Sequence, residues 1–393
     1  MDNAMLAAPV PIYLDHAATT PVDPAVVAAM LPYWTTTWGN PSSLYAAGRE
    51  ARAALDEARA TVARCLGCAP NEIVFTSGGT EGDNLALKGA IEHARLAGRP
   101  THLITTAIEH HAVLHAAEAL ARVGTAITVL PVDGEGFVDP DAVEAAIRPE
   151  TALISVMYAN NEIGTIQPLA QIAEVARRRG ILFHTDAVQA AGSLPLDVRA
   201  LGVDLLTIAA HKFYGPKGVG ALYVRAGTPL RYQQQGGPQE GDRRGGTENV
   251  AGVVGLATAL RLAEAGQSAY VEHCRALRDR LTDAILATIP GARLNGPRGD
   301  ARLPNNVNVA FTGVQGEDLI IALDLAGVAA SSGSACTTGA TEPSHVLRAI
   351  GVPDDAIGGS LRLTLGRDNT PEEVATVLEL LPEIVGRLRE SGW

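Results

Sequence analysis

Asp204-Leu205-Leu206-Thr207-Ile208-Ala209-Ala210-His211-Lys212-Phe213-Tyr214-Gly215-Pro216-Lys217-Gly218 is the stretch from which the fold can be read. It opens on a short apolar run with β-branched members, Asp204 to Ile208, the pattern of a strand buried in an α/β sheet. A lysine just past such a strand stands where open α/β sheets collect ligands, at the carboxyl ends of their strands. A lysine buried there loses enough pKa to act as an amine nucleophile, so the stretch suggests a Schiff-base lysine. Gly215-Pro216-Lys217-Gly218 is equally an ordinary turn, and most lysines are solvated surface charges. The rest of the chain has to decide.

Outward from this stretch the pattern repeats. Strand-like runs at Glu72 to Thr76, His102 to Thr106, Ala126 to Leu130, Ala152 to Met157, Ile181 to Thr185, Asp204 to Ile208 and Gly220 to Val224 are mostly separated by helical stretches. That alternation predicts a mainly parallel, seven-stranded sheet covered on both faces. Towards the amino terminus, Ile12-Tyr13-Leu14 reads as a short strand. Pro24 to Trp34 reads as a helix capped by Asp23, and Arg49 to Leu66 as another. Towards the carboxyl terminus, a long helical stretch around Glu248 to Leu286 leads away from the sheet, and the alternation then restarts. A strand is expected at Asn306 to Phe311, a helix near Glu317 to Leu325, a Ser/Gly-rich loop at Ser331 to Thr338, a strand at Leu361 to Leu365 and a closing helix after Asn369-Thr370-Pro371. The expected organisation is α/β throughout: a large domain over residues 12–260 and a smaller C-terminal α/β domain over residues 261–393, with residues 1–11 packing on the latter.

A chain of 393 residues is long enough for two such units. Its 31 basic and 43 acidic residues give a net charge of −12 with no basic run, which argues against nucleic acid and anionic membrane as partners. Apolar runs such as Val250 to Leu260 fall short of the roughly 18–20 residues of a membrane span, and Met1 to Pro9 lacks a basic n-region. A soluble, cytoplasmic protein is expected. Four cysteines do not make a disulfide framework, which fits a reducing compartment. Cys65 and Cys68 form a CxxC without a second pair at zinc-like spacing and close an apolar helical pattern. They read as core packing, as does Cys274, and no metal site is expected.

Several stretches carry chemistry. Thr76-Ser77-Gly78-Gly79-Thr80-Glu81 follows a strand and opens a helix, which makes it a phosphate cradle or a capped glycine turn. Asp186 ends a strand, with Gln189 three residues on. A carboxylate there can hold a pyridinium N–H or cap a helix. Asn160-Asn161-Glu162 can bind a carboxylate or close a turn, and His110 in Glu109-His110-His111 suits stacking on a flat ring. Ser331 to Gly339 sets Cys336 among small residues that cannot bury it, as an exposed nucleophile requires. Arg362 alternates with leucines in a strand, either as an edge charge or as a fork for a carboxylate.

Taken together, these motifs resemble those of the cysteine desulfurases of the NifS/IscS type, within the class V branch of fold-type I enzymes that use pyridoxal 5′-phosphate. The resemblance runs from Tyr13-Leu14-Asp15 through Gly39 to Ser43, Thr76 to Asn84, Glu109 to Leu114, Asn160 to Gly164, Asp186 to Gln189, His211 to Gly218, Arg244 to Asn249 and Ser331 to Leu347. It implies that Lys212 carries the cofactor as a Schiff base and moves the substrate's Cα proton, and that His110 stacks on the ring. Asp186 would hold the pyridine nitrogen and Gln189 the ring oxygen, while Gly79, Thr80 and His211 contact the phosphate. Thr247 would reach the phosphate of a partner subunit, which implies a homodimer. Asn161 and Arg362 would fix the substrate carboxylate. Cys336 would take the sulfur of L-cysteine as a persulfide, with L-alanine released and the sulfur passed to an acceptor or iron–sulfur scaffold protein. A selenocysteine lyase, another class V enzyme of small amino acids, or a weakly active scaffold are the alternatives. One departure stands out: Ala209 occupies the place of the family's phosphate-binding serine, a missing contact worth on the order of 1–3 kcal/mol.

Overall fold

The computed structural model describes residues 11–332 and 343–390. Twelve strands are found there: β1 (Ile12–Tyr13), β2 (Ile73–Thr76), β3 (His102–Thr106), β4 (Ala126–Leu130), β5 (Thr151–Ser155), β6 (Leu182–Asp186), β7 (Leu205–Ala209), β8 (Gly220–Val224), β9 (Ala292–Leu294), β10 (Asn306–Phe311), β11 (Val328–Ala329) and β12 (Ser360–Thr364). Seven of them form one sheet in the order β2-β8-β7-β6-β5-β3-β4. Pairing is parallel from β7 through β4, whereas β8 runs antiparallel to both β7 and β2. Two reversals cancel, so β2 points the same way as the parallel strands.

The period of two in these strands decides what covers them. Val74, Leu103, Leu153 and Leu205 face a core shared with the helices Gly79–Leu96 and His111–Arg122. Their neighbours Ile73, Ile104, Ile154 and Leu206 face the opposite core, with Leu55 and Val62 of the helix Ala46–Leu66, Ile172 of Leu169–Arg179, and Val253 and Leu256 of Val250–Thr288. Burial on both faces is why the strands read as continuous apolar runs.

A second, antiparallel sheet has the order β12-β10-β9, and β1 pairs in parallel with β11. The core beside it joins Val307, Val309, Leu361 and Leu363 to Leu277, Leu281 and Ile285 of the long helix and to Val377 and Leu381 of the helix Pro371–Glu390. One helix, Val250–Thr288, therefore serves the core on one face of the large sheet and the core beside the small sheet.

The structure departs from expectation in detail. The helix expected over Pro24 to Trp34 is two, Pro24–Met30 and Pro32–Thr35, because Pro32 brings no N–H to continue the ladder. β9 was not expected; its residues are only half-buried or exposed, so they leave no apolar run. Cys65 and Cys68 pack against the large core and Cys274 lies within the small one, where burial pushes all three thiols up to about 12. Among the described residues, no cluster suits a metal ion, and no helix is long and apolar enough to cross a membrane. Cys336 and residues 1–10 lie outside the described residues.

Candidate active site

Because β2, β3, β5, β6 and β7 run the same way, their carboxyl ends share one edge of the sheet. The segments leaving that edge enclose a cavity of about 360 Å³. Asp186 is the last residue of β6, and Lys212 ends the short turn Ala210–Lys212 after β7. Gly79 and Thr80 begin the helix after β2, and His110 caps the helix after β3. All of them line the cavity, as do Asn161, Gln189, His211 and Arg362. Thr247 does not; it stands exposed in the loop ahead of the helix Val250–Thr288.

Lys212 Nζ donates to the carbonyl of Ala17 and, at 2.9 Å, to that of Ala18. Gln189 Nε2 donates to Ala17 O at 2.9 Å. The segment after β1 thus fixes both side chains. Asp186 is buried, and its Oδ1 accepts from Val188 N at 2.9 Å. Burial pushes its pKa up to about 6, against the pull of that N–H and of the Lys212 charge.

His110 Nδ1 accepts from Ala112 N at 3.1 Å. Burial, followed by the charge of Lys212, lowers this imidazole to about 4, so it is neutral with its proton on Nε2. His211, whose Nδ1 lies 3.2 Å from Thr19 Oγ1, is lowered to about 4 by burial and by Lys212 and Lys217. Arg362 reaches in from β12, with Nη2 2.8 Å from Asp15 Oδ1 and Nη1 3.0 Å from Asn161 O. The cavity wall therefore needs both sheets.

At the first turn of the helix Gly79–Leu96, backbone N–H groups without intrahelical partners and the positive end of the dipole suit an anion. The approach is close. A Cβ on Gly79 would lie 2.8 Å from Val188 Cγ2, so glycine is needed to set the helix beside the Asp186 loop. Ala209 lines the cavity and adds no hydroxyl. Thr207, on the same side of β7, does not replace it, because its fully buried hydroxyl bonds His184 Nε2 at 3.1 Å.

Sequence reasoning missed Asp15, Asp83 and His184. Asp83 had a signal: it shares a helix face with Leu87 and Ile91, an apolar stripe on which a carboxyl is out of place.

The class V aminotransferase family matches residues 12–377. A cysteine desulfurase IscS of Methanosarcina thermophila is 52% identical over 381 residues, covering 97% of this chain and 93% of that one. One from Dictyoglomus turgidum is 49% identical over 378 residues, covering 96% and 95%. Among solved structures, a NifS-like protein superposes with a TM-score of 0.90 at 37% identity over 96% of this chain and all of its own. SspA in complex with cysteine gives 0.79 at 36% identity, covering 91% of this chain and all of its own. The chain belongs to the class V aminotransferase family and, within it, to the cysteine desulfurases of the NifS/IscS type.

Proposed function

We propose that this chain removes sulfur from L-cysteine, giving L-alanine, with pyridoxal 5′-phosphate held in the cavity at the carboxyl edge of the sheet. The observation that carries the reading is that one cavity gathers Lys212, Asp186, His110 and the opening turn of the helix Gly79–Leu96. The donor set fits the cofactor. The helix terminus with Thr80 and His211 would hold the phosphate, Asp186 the pyridine nitrogen, Gln189 the ring oxygen and His110 the ring face. Bound there, the cofactor supplies an electron sink for the carbanion formed at the substrate's Cα.

The chain's own residues do the rest. Lys212 carries the amine that binds the cofactor and moves the Cα proton, and the carbonyls of Ala17 and Ala18 orient it. Neutral His110 keeps an N–H on Nε2 that can be passed on. Arg362, braced by Asp15, and Asn161 would bind the substrate carboxylate. Cys336 is the nucleophile: its Sγ bonds the substrate's sulfur as the Cβ–S bond breaks. The electron pair stays with Cβ, which takes a proton to become the methyl group of alanine.

The same reading includes a homodimer. Leu31, Trp34, Trp38, Leu44 and Tyr45 expose apolar surface together within a short segment, as an interface requires, and exposed Thr247 would reach the partner's phosphate site. It also includes a cytoplasmic setting, a sulfur-acceptor or iron–sulfur scaffold partner, and a division near residue 260 into a large unit and a small one, consistent with the two cores. Intact-mass analysis after adding L-cysteine is the test. Wild type gains one sulfur atom at Cys336 and releases alanine. Cys336→Ser gains none, and sulfur release at the wild-type rate from that variant would refute the role of Cys336.

A further inference from the structure

Beside the floor of the cavity lies a carboxyl that the reaction above does not use. Asp83 belongs to the helix Gly79–Leu96 and is 1% exposed, yet it lines the cavity together with Asp186. Asp83 Oδ1 lies 3.5 Å from His184 Nε2 and has no hydrogen-bond partner among the described residues. His184 is itself fully buried, with Nδ1 2.9 Å from Ser155 Oγ and Nε2 3.1 Å from Thr207 Oγ1. Burial lowers this imidazole to about 3, so it is neutral and offers Asp83 no compensating charge.

The titratable groups that face Asp83 are Asp186 and His184 from β6 and Glu109 from the turn before the helix His111–Arg122. None of them is cationic. Asp186 is better placed, with the Val188 N–H on its Oδ1 and the Lys212 charge nearby. Two carboxyls buried on the wall of one cavity do not both ionise readily, and the one with the donor and the cation keeps the charge. Burial and then the Asp186 charge raise Asp83 well above the ordinary carboxyl range, in line with that asymmetry.

We propose that Asp83 is a positioning residue that acts through Asp186: it keeps its own proton, so that Asp186 meets the cavity as the anion. The proposal rests on the reading of Asp186 as partner of a protonated ring nitrogen. An acid, unlike an amide, can also release its proton. At high pH the pair then carries a second negative charge, and its grip on a cationic ring N–H strengthens as solvent protons become scarce.

The apoprotein supplies the deciding measurement. A carboxyl raised in the folded state contributes stability that is complete below its unfolded pKa of about 3.9 and is lost as pH rises through the folded value. The melting temperature of wild type relative to Asp83→Asn should therefore fall with pH about a definite midpoint. Placed on an Asp186→Asn background, the same comparison should show that midpoint about one pH unit or more lower, because the like charge is gone. Coincident midpoints on the two backgrounds would mean that Asp83 is merely buried, and would overturn the proposal. NMR titration of isotope-labelled aspartate carboxyls in wild type and Asp186→Asn reads the same shift without altering position 83, and decides the matter should Asp83→Asn not fold. In the holoenzyme, the visible cofactor band of Asp83→Asn should undergo its alkaline transition at lower pH than wild type, and kcat relative to wild type should fall with pH at constant KM. Wild type without a visible band would sink the cofactor reading and leave the apoprotein result standing. A normal band with coincident midpoints would sink only the proposal.

Discussion

Ala209 shows how much one side chain decides in this cavity. It is 1% exposed at the end of β7, a Cβ on Gly79 would come within 3.7 Å of its Cβ, and the nearest hydroxyl on its side of the strand is occupied by His184. Ala209→Ser would restore a donor facing the phosphate. Cofactor titration of the apoprotein should give a Kd about tenfold lower, the equivalent of ~1.4 kcal/mol; an unchanged Kd would place the phosphate elsewhere. Lys212, Asp186 and His110 were legible in the sequence because each follows a recognisable strand, and the carboxyl edge of a sheet is where function collects. The partners of Lys212 were not. Ala17 and Ala18 act through backbone carbonyls, which any residue supplies, so no residue type marks them. Asp15, nearly the whole chain away from Arg362, meets it through a contact that spacing cannot announce.

Among the elements, the helix Gly79–Leu96 has the tightest constraints. It carries the anion cradle at one end and Asp83 one turn further on, and its position is fixed by close contacts rather than by propensity. At Gly89 a Cβ would lie 2.6 Å from the carbonyl oxygen of Arg231, whose N–H in turn bonds Gly89 O at 3.0 Å. In an exposed helix, glycine to alanine gains about 1 kcal/mol. Here Gly89→Ala should cost roughly 1–3 kcal/mol instead, because backbone has to move. Denaturant unfolding measures this, and a stabilised variant would contradict the packing. The long helix Val250–Thr288 was visible in outline from sequence; its double duty was not. Its first three turns are buried almost all round and its last ones on a single face, so the pattern marks a change of surroundings, but only the paired clusters reveal which partner each end meets.

At the scale of the molecule, several acids are buried with too little positive charge nearby to offset the burial. Glu162 accepts from Ser344 Oγ at 2.5 Å, and its backbone carbonyl accepts from Asn306 Nδ2 at 2.9 Å and Asn308 Nδ2 at 3.0 Å, so it ties the segment after β5 to the smaller sheet. Burial raises it to about 7, and raises Glu109 to about 8. Groups shifted in this direction give stability that is whole below their unfolded pKa and is lost as pH rises through the folded values. The histidines lowered by burial, His110, His184 and His211, act on the other side, losing stability as pH falls below about 6.5. The apoprotein should therefore lose stability between pH 6.5 and 8. Glu162→Gln should remove the part of the fall that ends near pH 7: between about pH 4.5 and 7 the two proteins should diverge by roughly 2–3 kcal/mol in calorimetry. Parallel curves for the two proteins would show that Glu162 does not titrate there.

The place of β8 in the sheet also bears on the birth of the protein. β2 leaves the ribosome early, but as an edge strand its neighbour in the sheet is β8, and residues 77–219 lie between them. At typical elongation rates that is a wait of roughly 7–30 s. Throughout it β2 is without its neighbour and the helix that bears the cradle has no settled support, and over the last ten residues β7, newly made, also presents an unpaired edge to any passing strand. The nascent chain is thus most exposed to wrong pairing just before Gly220 emerges. Protection by a chaperone would count for most in that interval, and the cavity cannot close until Arg362 follows much later.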